Sequence, residues 1–411
     1  MTDIAPAPIT VARGARHREG WRMTLVVAAF LVAYGAVALK MGLTALAVPT
    51  EPQIARGPAE VPVRGEIMDA DGALLAGNLP GWSLYANPKV ISDPEVVAIG
   101  LSQILDVDAV ALAESLSRDT RFAWVKRPIT PRQRQAVLEM GEPGLAFGAR
   151  EVRVYPAGRL AAHILGGTST IAEGVAGAEL AGSAGIEHFA NARLSDPSRA
   201  GEPLRLSLKS AVQLVMQDVL ALGMERFGAK GASAILMRVE TGEIVAMASL
   251  PDFDPNQRPP KYDGPDELNP RFNRAAKGIY EFGSVMKVFT AAIALEEGRV
   301  EPDTIIDTVT PVSVKGGTFR DKRPRPDQTV EDIIVRSSNV GAIRLARGVG
   351  TERFRGYLGR LGLFERTRLE LPEARAARPA LPPDWTELTT VTASFGHGFS
   401  ISQVHLAAAY A

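Results

Sequence analysis

An uncharged stretch near the N-terminus is the feature that most constrains the fold of this chain. Residues 23–39 carry no charged side chain, and after Lys40 the apolar character continues to Val48. A helix rises about 1.5 Å per residue, so this run is long enough to cross most of a bilayer. Four arginines between Arg13 and Arg22 precede it, which predicts a cytoplasmic N-terminus and an exported remainder. We therefore predict a cytoplasmic tail at 1–22 and a transmembrane helix at 23–40, with a signal peptide cleaved after Ala45-Leu46-Ala47 as the alternative.

Composition narrows the possible functions of the exported part. The 411 residues are 46% hydrophobic, which is enough for two domains that each bury a core. The formal net charge is zero and no basic run interleaved with aromatics follows the N-terminus, so nucleic acid is not an expected partner. There is no cysteine, and the five histidines lack the paired spacing of a zinc or iron site. No metal or other cofactor is predicted.

Local patterns divide the exported part into two regions and predict an α+β fold. A proline-rich linker at Pro49–Pro62 and a polar Asp-Pro-Ser-Gly cluster at Asp196–Pro203 place the domains at 41–203 and 204–411. The patterns predict a hairpin at Ile67–Ala76, helices within Ile91–Ser117, at Pro131–Met140 and at Ala211–Met224, and a hairpin of Ala234–Val239 with Ile244–Leu250. The glycine-rich Gly166–Gly185 is predicted to be a flexible loop.

The stretch YEFGSVMKVFT, Tyr280–Thr290, places Ser284 three residues before Lys287. Positions i and i+3 share one face of a helix, so the hydroxyl and the amine can meet there. A lysine can take a proton from serine if burial lowers its pKa. We expect Val285, Met286, Val288 and Phe289 to exclude water from the surroundings of the Lys287 amine. The helix is predicted to run from Ser284 to about Glu297.

A second triplet, Ser337-Ser338-Asn339, follows some fifty residues later. In acyl transfer by a Ser-x-x-Lys enzyme, a second hydroxyl relays protons and an amide holds the substrate, which Ser337 and Asn339 could supply. A polar turn is the alternative interpretation of this triplet taken alone, because serine and asparagine are common turn residues.

These segments, taken together, resemble the class B penicillin-binding proteins, and most closely the division-specific FtsI type of peptidoglycan D,D-transpeptidase. The resemblance rests on several ordered matches: VRGEIMDADGALLA, RVYPAGRLAAHILGG, AGIE, AILMRVETGEIVAMASLPDFDPN, NRAAKGIYEFGSVMKVFTAAIALEEG, SSNVGA and FGHG. It implies an elongated N-terminal pedestal and a transpeptidase domain with an antiparallel sheet and helices.

The resemblance also implies a reaction and a setting. Ser284 would be the acylated nucleophile, Lys287 its general base, Ser337 a proton relay and Asn339 a contact to the substrate amide. The enzyme would cross-link D-Ala-D-Ala stem peptides in septal wall synthesis and bind β-lactams covalently. It would sit in the inner membrane as a single-pass protein whose bulk is periplasmic. A polytopic FtsW-type glycosyltransferase and other division proteins would be its partners.

One motif of this family is not in the sequence. The family's Lys-Thr-Gly strand lies beyond the Gly-His-Gly segment, the sequence ends at Ala411, and neither Lys-Thr-Gly nor Lys-Ser-Gly occurs. The transpeptidase domain is therefore expected to be incomplete at its C-terminus. The alternatives are a non-catalytic division scaffold, an elongation-type class B protein, and a hydrolase or β-lactam sensor. The pedestal motifs argue against a hydrolase or sensor.

Three charged residues of the pedestal motifs, Arg64, Arg153 and Glu187, are predicted to form a structural ion-pair network rather than a catalytic group. His163 is predicted to be a core or capping histidine.

Overall fold

The structure, a computed structural model, describes residues 16–46, 64–174 and 177–411. The chain divides into two compact units, residues 1–59 and 60–411. The predicted tail up to residue 15 and the predicted linker Pro49–Pro62 lie outside the described residues.

The first unit contains one long helix, α1 (Arg16–Leu46). Its segment Thr24–Met41 is long and apolar enough to cross a membrane, and none of that segment is buried by other parts of the protein. The predicted span at 23–40 therefore lies within a helix whose apolar side chains from Thr24 to Met41 are exposed.

The second unit begins with a sheet and helices in the region predicted to be the pedestal. Its elements are β1 (Ile67–Met68), β2 (Leu74–Ala86), α2 (Pro94–Leu105), α3 (Ala109–Leu116), β3 (Ala123–Ile129), α4 (Pro131–Glu139), β4 (Leu145–Val154), α5 (Ala162–Leu165), β5 (Gly167–Gly174), β6 (Gly177–Ala184), α6 (Gly185–Phe189), α7 (Asn191–Leu194) and β7 (Leu204–Arg205). The predicted hairpin and helices of this region are confirmed.

Strand β2 organises the pedestal sheet because it pairs with three other strands. It lies antiparallel to β1, β3 and β4, and β1 also pairs in parallel with β7. Leucines of α2 and α3 pack on one face of this sheet, together with Leu84 of β2 and Val137 of α4. Burial of these apolar side chains stabilises the pedestal as a structure with its own core.

The prediction of a flexible loop at Gly166–Gly185 is wrong. Strands β5 and β6 form an antiparallel hairpin there. The glycines serve close packing, because a Cβ on Gly182 would lie 1.8 Å from the carbonyl oxygen of Glu187. A Cβ on Gly166 would lie 2.0 Å from the carbonyl oxygen of Ala184. A glycine-rich composition therefore allows two segments of backbone to touch here.

The predicted ion-pair network is confirmed. Glu187 is fully buried, and its two carboxylate oxygens accept from Arg64 Nε and Arg153 Nε, both at 2.7 Å. Tyr155 also donates to this carboxylate at 3.2 Å. His163 is buried as predicted, with its Nε2 bonded to the carbonyl oxygen of Pro270 at 2.8 Å. Burial lowers the pKa of His163 to about 4, so its ring is neutral at physiological pH.

The remainder of the second unit is largely helical. Its elements are α8 (Ser210–Phe227), β8 (Ala232–Met237), β9 (Ile244–Leu250), β10 (Ile279–Tyr280), α9 (Met286–Glu296), β11 (Val312–Val314), β12 (Gly317–Phe319), α10 (Val330–Val335), α11 (Asn339–Val349), α12 (Thr351–Arg360), α13 (Pro372–Ala376), α14 (Glu387–Ala393), β13 (Ile401–Ser402) and α15 (Gln403–Tyr410). The predicted helix at 211–224 and the hairpin of β8 with β9 are confirmed.

Three apolar cores position the later elements, the smallest of them formed by Val312, Val340, Ile343, Val391 and Phe395. One core surrounds α9 and includes residues of α10, α11, α12 and β13, among them Met286, Ile333 and Phe354. A second core contains pedestal residues such as Ile67 and Ile186 together with Met247 of β9. Since residues of both regions share this second core, the base of the pedestal is packed directly against the domain that follows it.

Candidate active site

A tight turn presents Ser284 at the start of α9. Residues Gly283–Val285 form a single 3₁₀ turn, and the α-helix begins at Met286 rather than at the predicted Ser284. The Nζ atom of Lys287 lies 3.1 Å from Ser284 Oγ. Ser284 is exposed, whereas Lys287 is only 2% exposed. The solvent-exposed hydroxyl of Ser284 thus lies next to the buried amine of Lys287.

Ser337 completes a three-membered polar group. Lys287 Nζ lies 2.8 Å from Ser337 Oγ and 2.7 Å from the Ser337 carbonyl oxygen, and Ser337 Oγ lies 2.8 Å from Ser284 Oγ. Ser337 has a positive φ of 56°, a conformation that a non-glycine residue adopts rarely and that recurs at functional sites. The structure thus brings together three of the four predicted site residues through direct side-chain contacts.

The fourth predicted residue, Asn339, begins α11 and is half-buried. Its backbone N–H donates to Asp321 at 2.8 Å, which fixes its main chain two residues after Ser337. The main chain therefore places Asn339 near this polar group. Among the contacts of the described residues, its side chain makes no bond to Ser284 or Lys287.

Burial lowers the pKa of Lys287 from 10.5 to about 8, and the negative charge of Asp321 acts in the opposite direction. At pH 7 a lysine with a pKa of about 8 is neutral in roughly one molecule in ten, compared with roughly one in three thousand at the ordinary value. The neutral amine has a lone pair that can accept a proton from a hydroxyl. The site can therefore activate Ser284 directly or through Ser337.

The source of this burial differs in part from the prediction. Met286 and Phe289 are buried, as expected. Val285 and Val288, which were also expected to exclude water from the Lys287 amine, are 43% and 39% exposed. On a helix, residues 286, 289, 290 and 293 share the inward face, so positions 285 and 288 turn outward.

Asp321 lies at the site and was not singled out from the sequence. Its carboxylate accepts from the backbone N–H groups of Asn339 and Val340, at 2.8 and 3.1 Å, and from Ser338 Oγ at 2.5 Å. A carboxylate at a helix N-terminus binds otherwise unpaired N–H groups and is favoured by the helix dipole. Asp321 thus holds the start of α11, and with it Ser337, next to Lys287.

We expect Asp321→Asn to move the pH dependence of acylation by a penicillin to lower pH. In the parent protein the rate should rise with pH through about 8 and level off above it, as Lys287 loses its proton. Because the Asp321 charge raises the pKa of Lys287, its removal should lower the midpoint of the curve. The second-order acylation rate constant, measured between pH 6 and 10, checks this.

The control for this experiment is Asp303→Asn, which removes an exposed carboxylate in a turn outside the site. Its midpoint should match that of the parent protein. A midpoint that rises in Asp321→Asn, or that falls equally in both variants, would contradict the role assigned to the Asp321 charge.

A glycine of the Phe395–Gly398 segment positions the turn that carries Ser284. The N–H of Gly283 donates to the carbonyl oxygen of Gly396 at 3.0 Å. Gly396 has a φ of +83°, and a Cβ there would lie 2.1 Å from the carbonyl oxygen of Gly283. Strand β10 pairs with β13 on the same side, and Tyr410 Oη donates to the Val285 carbonyl at 2.6 Å. These contacts leave the turn little freedom to move.

Gly396→Ala is expected to slow acylation by a penicillin about a hundredfold, because the turn must shift and a displacement near 1 Å at a reacting group has an effect of about that size. Gly362→Ala is the matched control: its φ is +76°, but the added Cβ meets nothing within 4 Å. The control should acylate at nearly the parent rate. Equal rates in all three proteins would show that Gly396 does not position Ser284.

Among the described residues, no group of three or more histidine, cysteine, aspartate or glutamate side chains is arranged to hold a metal ion. The chemistry described above uses hydroxyl and amine groups of the chain itself.

Comparison with protein families matches two domain models to the chain. The model described as the penicillin-binding protein dimerisation domain matches residues 59–197, and the model described as the penicillin-binding protein transpeptidase domain matches residues 232–411. The second match contains Ser284, Lys287, Ser337 and Asn339.

Two curated relatives are similar along most of the chain. The probable peptidoglycan D,D-transpeptidase FtsI of Caulobacter vibrioides is 35% identical over 353 residues, which is 84% of this chain and 56% of the relative. The probable peptidoglycan D,D-transpeptidase PenA of Neisseria gonorrhoeae is 31% identical over 378 residues, which is 87% of this chain and 64% of the relative. The chain thus spans less than two thirds of the length of these relatives.

Solved structures share the fold. Penicillin-binding protein 2X from Streptococcus thermophilus aligns with a TM-score of 0.66 at 21% identity, over 85% of this chain and 58% of that one. A peptidoglycan synthetase from Bifidobacterium adolescentis aligns with a TM-score of 0.58 at 22% identity, over 84% of this chain and 70% of that one.

Proposed function

Because the chain belongs to the class B penicillin-binding proteins, with their dimerisation and transpeptidase domains, we propose that it is a peptidoglycan D,D-transpeptidase that acts through an acyl-enzyme on Ser284. The observation that carries this proposal is the mutual contact of Ser284, Lys287 and Ser337, with all three side-chain distances at or below 3.1 Å. A structural lysine would be paired with a carboxylate, whereas this one contacts two hydroxyls and a carbonyl.

The acylation step uses the lowered pKa of Lys287. The neutral amine takes the proton of Ser284, directly or through Ser337, and Ser284 Oγ bonds to the carbonyl carbon between two terminal D-alanines of a stem peptide. The C–N bond then breaks, and the leaving D-alanine takes the proton from the ammonium of Lys287. The backbone N–H of Ser284 is one proposed donor to the oxyanion, and Asn339 is the proposed contact to a substrate amide.

Deacylation repeats these transfers with a different nucleophile. An amine of a neighbouring stem peptide attacks the ester carbonyl, and Lys287 receives the proton that the amine loses, directly or through Ser337, which passes its own proton on. The C–O bond to Ser284 breaks, and Ser284 recovers its proton. The product is a new amide between two peptides, which is a cross-link. A β-lactam would acylate the same serine, but the amine released by ring opening stays attached to the acyl group and does not leave the site.

The test is to supply the protein, expressed from its natural gene and kept in membranes, with a D-Ala-D-Ala peptide and an amine acceptor. We expect release of D-alanine together with a cross-linked peptide, and neither with Lys287→Ala. Absence of D-alanine release by the parent protein, together with absence of acylation by a penicillin, would refute the proposal and favour a non-catalytic scaffold.

The proposal also covers the domain arrangement, the cellular location and the partners of the protein. We assign residues 1–22 to a cytoplasmic tail, 23–40 to the membrane span, 41–203 to the pedestal and 204–411 to the transpeptidase domain, in the inner membrane with the bulk periplasmic. The FtsI name of a relative supports a role in septal wall synthesis. Association with a polytopic FtsW-type glycosyltransferase and other division proteins completes the proposal.

The orientation can be measured with reporter fusions. A reporter enzyme that works only outside the cytoplasm should be active when fused at Glu51 and inactive when fused at Pro8, because the arginines before the span keep its N-terminal side inside. Activity at Pro8 and not at Glu51 would reverse the orientation.

A further inference from the structure

A cavity of about 380 Å³ lies between the pedestal hairpin and the segment that leads to the nucleophile turn. Ser183 and Ala184 of β6 line one side, and residues between 258 and 277 line most of the remainder. None of Ser284, Lys287, Ser337 and Asn339 lines it. Its volume is near the lower end of the range for pockets that bind small molecules, roughly 300–1,000 Å³.

The lining of this cavity is strongly basic. Four cationic side chains contribute to it, Arg258, Lys261, Arg271 and Lys277, against a single carboxyl group, Glu373. Arg258 and Arg271 are half-buried, whereas Lys261 and Lys277 are exposed. Lys261 is paired with Asp263 at 3.2 Å, and the ion pairs of the described residues include none for Arg271 or Lys277. The cavity therefore has an excess of positive charge.

An unsatisfied donor at the cavity supports a ligand site. Arg258 donates through Nη1 to Ser183 Oγ at 2.5 Å, but its buried Nε has no hydrogen-bond partner in the described part of the chain. Asn273, which is 3% exposed, is already occupied, because its side chain is hydrogen-bonded to the Glu373 carboxyl. Buried polar groups are normally hydrogen-bonded, so the open Arg258 Nε is unusual.

The charges at the cavity also oppose each other. Burial lowers the pKa of the Arg258 guanidinium, and the nearby positive charge of Arg271 lowers it further, whereas Tyr155 and Glu373 act in the opposite direction. Two half-buried guanidinium groups that repel each other would be stabilised by an anion placed between them, because arginine binds carboxylates and phosphates through paired N–H donors.

We propose that this cavity binds a small polyanion, a molecule with at least two carboxylate or phosphate groups, with Arg258 and Arg271 as its principal donors and Lys277 at the rim. The site is separate from the proposed acylation chemistry, so its test does not depend on transpeptidase activity. A bound ligand would join β6 of the pedestal to the chain segment that precedes Ser284.

The test is titration calorimetry of the full chain in detergent with pyrophosphate and, separately, with citrate, at fixed ionic strength because salt screens such contacts. We expect saturable binding of at least one of them with one site per chain. Binding of pyrophosphate alone identifies a phosphate-bearing ligand and binding of citrate alone a carboxylate-bearing one. No saturable binding of either overturns the proposal.

Two variants make the test specific. Arg271→Gln should weaken binding about tenfold or more, the size expected when a charged hydrogen-bond donor is lost. It should fold normally, since no hydrogen bond or ion pair of its side chain to a described residue is found. Lys230→Gln removes an exposed charge that does not line the cavity, and it should leave the affinity unchanged. Equal weakening in both variants, or none in Arg271→Gln, would show that the anions do not bind in this cavity.

Discussion

Replacing Ser284 by alanine is expected to abolish covalent labelling of the protein by a fluorescent penicillin. Ser284 Oγ is exposed and contacts both Lys287 and Ser337. Alanine removes the atom that would bond to the β-lactam carbonyl, and the neighbouring Ser337 is held by a backbone with a strained, positive φ. The loss should therefore be complete rather than partial. In-gel fluorescence of membranes that contain the protein expressed from its natural gene measures it.

The control for this prediction is Ser313→Ala. Ser313 is an exposed serine with a lysine, Lys315, two residues later, so it has similar local chemistry without the buried amine. Labelling of Ser313→Ala should equal that of the parent protein. Residual labelling of Ser284→Ala at the parent level would remove the basis for assigning Ser284 as the nucleophile.

Replacing Glu187 by glutamine is expected to destabilise the protein by about 3–5 kcal/mol. The carboxylate is fully buried and is the shared partner of Arg64 and Arg153, which are 4% and 7% exposed. Glutamine keeps the shape but removes the negative charge, so two buried guanidinium charges lose their compensation. The free energy of unfolding in urea, followed by circular dichroism, measures this effect.

Two further variants distinguish the contribution of the buried network from that of an exposed ion pair. Glu243→Gln removes an exposed partner of Arg238, 3.4 Å away, and should cost less than about 1 kcal/mol. Joint replacement of Arg64 and Arg153 by methionine and Glu187 by leucine should cost less than Glu187→Gln alone, because no buried charge is left unpaired. A cost for Glu187→Gln no larger than that of Glu243→Gln would show that the network contributes little to stability.

The spacing of Ser284 and Lys287 indicated the center of the site only together with the other motifs, because a Ser-x-x-Lys pair arises by chance about once in a chain of this size. The i, i+3 spacing lets the side chains of Ser284 and Lys287 meet on one face, and the structure places them 3.1 Å apart across the 3₁₀ turn and the first turn of α9. The hairpin of β8 and β9 likewise follows from two β-rich segments with a short turn between them. The contact of Ser337 with both residues came from the resemblance, since no local rule brings two segments fifty residues apart together.

The missed features all depend on tertiary contacts. Asp321 lies in an irregular loop, and it became important only because the fold places that loop at the N-terminus of α11. Gly396 is a similar case, because a Cβ at this position would clash with the backbone of Gly283, more than a hundred residues earlier. The glycines of β5 and β6 were assigned to flexibility because composition cannot distinguish a mobile glycine from one that permits close packing.

The most direct measurement of the central claim is mass spectrometry of the acyl-enzyme. The protein is incubated briefly with an ester analogue of a D-Ala-D-Ala peptide, denatured in acid and digested, and the peptides are sequenced. We expect the acyl group, without the departed terminal residue, to be attached to Ser284, and no adduct to form in Lys287→Ala within the same time. An adduct on Ser337 or on any other residue, with Ser284 unmodified, would contradict the claim.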